Sequence, residues 1–139
     1  MPKSINIGLA IPVLAASALM LMVPMLASAA SPHFIGTPSC EVVGGDLECS
    51  GKVAGLGNVE EVNARIVADV TCTNRGNNEP QGQQGGEVQT FDVENGQITF
   101  TGSNSLTLEN PCPDRMTATF EEVALEIDGT TLDIPGTFP

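Results

Sequence analysis

The chain has 139 residues, 17 of them acidic against five Lys or Arg, for a formal charge of −12. Nucleic acids and anionic membranes are bound by basic side chains that neutralise phosphates, so this composition argues against both as partners. With no Trp, no Tyr and five Phe, the chain also lacks the rings on which sugar-binding modules stack their ligands and the Tyr-rich surface of an antibody-like paratope.

Residues 1–29 read as a signal peptide. Lys3 supplies a short basic start, and Ile7 to Leu26 is uncharged and apolar. Ala27-Ser28-Ala29 then gives the small-x-small exit for cleavage. A run of this length can also span a bilayer as an uncleaved anchor, but Pro12, Pro24 and the small-residue exit favour cleavage. No lipid anchor is expected at Cys40, because Thr37-Pro38-Ser39 lacks the preceding Leu-small-small pattern. The expected mature domain, 30–139, is a single secreted, extracellular unit. It keeps Lys52, Arg65, Arg75 and Arg115 against all 17 acids, a formal charge of −13. Such acidity suits solubility, a high-salt medium or affinity for divalent cations.

The mature part alternates apolar and polar residues in short runs punctuated by turn residues, which predicts strands. In 40–49, Gly44-Gly45 suits a two-residue hairpin turn. That turn sets Val43 opposite Asp46, Val42 opposite Leu47, Glu41 opposite Glu48 and Cys40 opposite Cys49. After this hairpin, Ser50 to Gly57 extends a strand into a glycine-rich bend. The longest alternation follows, with Val62, Ala64, Ile66, Ala68, Val70 and Cys72 on one face. Asn63, Arg65, Val67, Asp69 and Thr71 lie on the other.

Residues 73–86 carry no apolar side chain to bury and read as a long polar loop. Asn95-Gly96 predicts a hairpin pairing Val93 with Ile98 and Phe91 with Phe100. Asp128-Gly129 predicts another, pairing Leu125 with Leu132 and Val123 with Ile134. Leu106 and Leu108 suggest a short strand between them. The apolar phase of Met116, Ala118 and Phe120 is opposite to that of Val123, Leu125 and Ile127. A bulge at Glu121-Glu122, or a crossing between sheets there, would reconcile them.

Four cysteines in a short exported chain imply a disulfide framework with three formal connectivities. The hairpin register brings Cys40 and Cys49 face to face at a non-hydrogen-bonded site. It therefore favours Cys40–Cys49, which leaves Cys72–Cys112. Zinc is disfavoured, because there is no Cys-x-x-Cys pair and the compartment is oxidising. The predicted fold is all-β: a two-layer antiparallel sandwich of about seven to eight strands. It is immunoglobulin-like in architecture but not a true immunoglobulin domain, because the Trp that packs on the inter-sheet disulfide is missing.

The segments His33-Phe-Ile-Gly-Thr-Pro-Ser-Cys40, Ser50-Gly-Lys-Val-Ala-Gly-Leu-Gly-Asn58 and Cys72-Thr-Asn74 with the Gly/Pro/Gln stretch after it resemble a group of small secreted bacterial proteins of unknown function. The resemblance covers most of the mature chain. It implies an exported β-sandwich and brings no catalytic residue with it.

The inventory for catalysis is thin. His33 is the only histidine and lies near the expected mature N-terminus, so a Ser-His-Asp arrangement would depend on it alone. In a strand, the neighbours Glu60-Glu61 and Glu121-Glu122 point to opposite faces and do not converge on a substrate. The glycines of 51–57 precede no helix, as a phosphate loop would require. The chain is therefore expected not to be an enzyme, to need no cofactor and to carry no resident metal.

The candidate binding residues are those of the polar segment: Asn74, Arg75, Asn77, Asn78, Glu79 and Gln81. Calcium is the alternative, with Asn77, Asn78, Glu79, Glu109, Asn110 and Asp114 as oxygen donors gathered by a Cys72–Cys112 bond. The expected function is a non-enzymatic extracellular binding or cell-surface module with an unknown partner. A self-assembling surface protein is the structural alternative, and a hydrolase the remotest one.

Overall fold

The computed structural model describes residues 31–139, so the signal-peptide reading of 1–29 lies outside them. Ten strands make up the fold: β1 (His33–Phe34), β2 (Ser39–Val43), β3 (Asp46–Ala54), β4 (Glu61–Asn74), β5 (Asn77–Gly85), β6 (Gln89–Asp92), β7 (Ile98–Phe100), β8 (Leu106–Leu108), β9 (Thr117–Ile127) and β10 (Thr130–Asp133). A single 3-10 turn, Gly102–Asn104, is the only helical element among the described residues. None of their helices is long and apolar enough to cross a membrane.

The strands form two five-stranded antiparallel sheets. In the first, β3 is the hub. Its first half pairs with β2 and β8, and its second half with β1 and β7. In the second, the order is β10-β9-β4-β5, with β6 paired to the start of β4. The sandwich has more strands than expected because β1, only two residues long, and β5 add to those read from the sequence.

The core lies between the sheets. Leu47, Cys49 and Val53 come from β3, and Ile66 and Val70 from β4. Phe100 and Leu106 come from β7 and β8, and Phe120, Leu125 and Ile127 from β9. All ten are buried, and each large apolar side chain so removed from water stabilises by about 1.5–3 kcal/mol. The alternation in β4 translates directly into packing. Val62, Ala64, Ile66, Ala68, Val70 and Cys72 are all buried, because successive side chains in a strand point to opposite faces.

Two hairpins have the expected register. Val43 opposes Asp46, Val42 opposes Leu47 and Cys40 opposes Cys49 across the Gly44-Gly45 turn. Leu132 opposes Leu125 across Asp128-Gly129, and the N–H of Ile134 donates to the Val123 carbonyl at 2.8 Å. The second turn is anchored sideways to β4. The Asn63 N–H donates to Asp128 Oδ1 (3.0 Å), and the Asp128 N–H donates to the Asn63 carbonyl (3.1 Å).

The bulge in β9 is present as well. Val67 faces Ala124 and Asp69 faces Glu121, so Glu122 and Val123 together oppose Ala68. Glu122 takes φ 49° there. The extra residue switches the phase of the strand, which keeps Phe120 and Leu125 both in the core.

Two expectations are corrected. Residues 73–86 are not a loop: Asn77–Gly85 is a strand paired with β4 from Val67 to Asn74, turning at Arg75-Gly76. It is held by backbone hydrogen bonds to β4 and buries almost nothing, so it leaves no apolar signature in the sequence. The Asn95-Gly96 turn forms, with reciprocal hydrogen bonds of 3.0 Å between Glu94 and Gln97. The ladder stops at that one pair, however. Phe91 pairs with Val62 of β4, while Ile98 and Phe100 pair with β3. Both arms carry apolar residues into the same core by joining different sheets, so this turn is a corner between layers.

Candidate functional site

Cys72 and Cys112 are bonded, with Cα atoms 5.5 Å apart. Cys72 lies on β4 directly opposite Glu79 of β5, three pairs back from the Arg75-Gly76 turn, so the bond ties the hairpin near its tip to the segment after β8. The hairpin carries all six candidate binding residues, with Asn74, Arg75, Asn77 and Asn78 on the turn side of that pair and Gln81 on the other. Asn74 ends β4, Arg75 takes φ 31° in the turn, and Asn77, Asn78, Glu79 and Gln81 lie on β5. All six are exposed. What the sequence presents as a polar loop is thus a paired, polar ribbon.

The free edge of β5 is blunted by its own residues. Pro80 has no N–H to offer. Between Val70/Gly82 and Thr71/Pro80 the register shifts, leaving Gln81 as an extra residue. The side-chain amide of Gln81 donates to the Glu79 carbonyl (3.2 Å), and that of Gln84 to the Gln81 carbonyl (2.8 Å). A proline, a bulge and self-capped carbonyls are the usual devices against edge pairing. The hairpin therefore exposes side chains more than free backbone.

The calcium alternative draws on Asn77, Asn78, Glu79, Glu109, Asn110 and Asp114. Among the described residues, no three or more His, Cys, Asp or Glu side chains are grouped to hold a metal ion. Asn110 is committed elsewhere. Its Oδ1 accepts the Cys112 N–H at 2.7 Å, and its own N–H donates to Asp46 Oδ1 at 2.9 Å. These bonds shape the turn into the second disulfide.

A feature not anticipated from the sequence lies on the outer face of the second sheet. The β9 bulge brings Glu122 beside Asp69 in an open cleft of about 450 Å³. The buried side chains of Val67 and Ala124 line it, with Asp133, Ile134 and Pro135 around them. The Glu122 carboxyl is held above its ordinary range, first by a hydrogen bond to Asp69 and then by the charge of that group. Its small desolvation and the charges of Glu121 and Asp133 add to the shift. Beside the cleft, Arg65 Nε donates to Glu126 Oε1 at 2.9 Å, with both side chains more than a third exposed. That makes it a surface ion pair worth about 0–1 kcal/mol. The signal for the Asp69–Glu122 contact was the bulge itself, but the partner across it depends on strand order.

His33 lies in β1 at the surface, with Nδ1 2.9 Å from the Ser31 carbonyl. Of the acidic neighbours, Glu60 lies before β4, where its carbonyl accepts the Val93 N–H (2.8 Å), and Glu61 begins β4. Two further open clefts flank the sandwich. One, of about 440 Å³, lies between 84–87 and 107–111, and the other, of about 560 Å³, is lined by Lys52, Thr90, Asp92 and Asn95 among others. In the first, Gly86 passes so close to the Thr107 carbonyl oxygen that a β-carbon would collide with it.

The first disulfide, Cys40–Cys49, joins directly opposed residues of β2 and β3 with Cα atoms 4.0 Å apart. No cysteine is left free among the described residues. Two disulfides in a β-sandwich of this size fit an extracellular module, since such bonds persist in oxidising compartments. No protein-family model matches the chain, and neither the curated proteins nor the solved structures compared with it contain a match.

Proposed function

We propose that this protein is a non-enzymatic, extracellular binding module that works at a cell surface and contacts its partner through the β4–β5 hairpin. The observation that carries this reading is the hairpin itself. Six polar side chains stand exposed on a ribbon tied near its turn by Cys72–Cys112. Ordering such side chains before contact reduces the entropy lost on binding, which is how pre-organisation raises affinity. Asn, Gln and Arg offer donors and acceptors in fixed positions, which suits a polar partner surface.

The test uses the fluorescently labelled secreted domain on intact cells of the producing organism. Saturable retention is expected, and it should fall at least several-fold when Arg75, Asn77 and Asn78 are replaced together by Ala. These residues bury nothing, so folding should survive. Retention that is absent, or that is unchanged in the triple variant, would overturn the reading.

A further inference from the structure

The strand edges of the molecule are not equally protected. The β5 edge is blunted by proline, bulge and self-capped carbonyls. In contrast, β2 is five residues long, Ser-Cys-Glu-Val-Val, with no Pro, Gly or Lys. Among the described residues it pairs with β3 alone.

The register shows which of its backbone groups are free. The 4.0 Å Cα separation of Cys40 and Cys49 marks a non-hydrogen-bonded pair, in which side chains are close and backbone groups point away from each other. Ser39, Glu41 and Val43 therefore direct their N–H and C=O groups to β3. Cys40 and Val42 direct theirs outward. The same edge exposes two large apolar side chains, Val42 at 36% and Val43 at 48%. Beside them, Glu41 stands directly opposite Glu48, a like-charge pair that is unfavourable without a cation.

We infer that the β2 edge is a second docking site, which accepts an extended segment of a partner protein as an added antiparallel strand. That segment carries a basic side chain opposite Glu41 and apolar ones opposite Val42 and Val43. The inference rests on the binding-module reading but concerns a different surface. Backbone hydrogen bonds to Cys40 and Val42 would supply the affinity, and the alternating side chains the specificity. The Glu41/Glu48 pair supplies the charge complementarity. A second copy of this chain fits less well. Pairing Cys40 of one copy with Val42 of the other would set Glu41 against Glu41, and both copies carry the same strong negative charge.

The probe is a blocked peptide with the pattern Val-Val-Lys-Val-Thr flanked by lysines, titrated into isotope-labelled 31–139. The amide protons of Cys40 and Val42 should shift and gain exchange protection. Val42→Pro removes an N–H that β3 does not use and should weaken binding about tenfold or more. A peptide N-methylated on the bonding edge should fail equally against the parent protein, which covers the case where the proline variant misfolds. Glu41→Lys should also weaken binding.

Shifts scattered over the acidic faces, with affinity unchanged in Val42→Pro and by N-methylation, would show electrostatic adhesion only and overturn the inference. Protection of Cys40 and Val42 that rises with protein concentration alone would make a second copy the occupant and overturn it too. The triple hairpin variant should bind the peptide normally. Cell retention without peptide capture would sink the edge site alone, and capture without retention would sink the cell-surface reading alone.

Discussion

Phe138, the penultimate residue, exchanges two backbone hydrogen bonds with Phe120, of 2.8 and 2.9 Å, and lays its side chain against the core. The C-terminal segment thus continues the β9 edge beyond β10 and covers the backbone of a fully buried phenylalanine. Deleting 137–139 should cost about 2–4 kcal/mol, from two hydrogen bonds and one partly buried ring. Urea denaturation followed by far-ultraviolet circular dichroism measures it, since the chain has no Trp or Tyr to fluoresce. An unchanged midpoint would show that the segment only rests on the surface.

The two disulfides should differ in what they contribute. Cys40 and Cys49 are 9 residues apart, and Cys72 and Cys112 are 40 apart. Constraint of the unfolded chain predicts losses of about 3 kcal/mol for Cys40→Ala with Cys49→Ala and about 4 kcal/mol for Cys72→Ala with Cys112→Ala. Only the second pair of substitutions should also loosen the β4–β5 hairpin, visible as faster amide exchange at Asn77 and Asn78. Equal exchange in both variants would show that β5 is held by its ladder alone.

Glu122 binds its proton more tightly in the folded protein than its ordinary value of 4.5 allows, because Asp69 lies beside it. A carboxyl with a raised folded pKa contributes stability that is present below 4.5 and is lost as pH rises through the folded value. Glu122→Gln should therefore raise the melting temperature at neutral pH. Below pH 4.5, where the parent carboxyl is already protonated, the two curves should converge. An equal offset at both pH values would assign the effect to the strained backbone at φ 49° and not to charge.

Gly86, in the segment after β5, passes close against the backbone of β8. A β-carbon there would collide with the Thr107 carbonyl oxygen, and backbone atoms cannot step aside as a flexible side chain can. Gly86→Ala should cost about 1–3 kcal/mol. It should also weaken the hydrogen bond from the Gly86 N–H to the Ile66 carbonyl (2.8 Å). Thermal melts together with the Gly86 amide exchange rate test both statements.

What the sequence determined by itself was the side-chain phase of the strands that have a buried face. In β4, β9 and the turns at Gly44-Gly45 and Asp128-Gly129, burial and turn chemistry act on neighbouring residues. Alternation and glycine placement therefore report them directly. The phase slip at Glu121-Glu122 announced the bulge for the same reason: Phe120 and Leu125 must both face inward.

Tertiary structure alone decided what depends on which strands lie side by side. β5 is strand because β4 offers it a ladder, and its exposed polar side chains carry no trace of that. Phe91 and Phe100 part company at the Asn95-Gly96 turn because one joins β4 and the other β3. The meeting of Asp69 with Glu122, and the outward N–H groups of Cys40 and Val42, follow from strand order and register. These are non-local properties, set by how the two layers assemble, and periodicity within one segment cannot encode them.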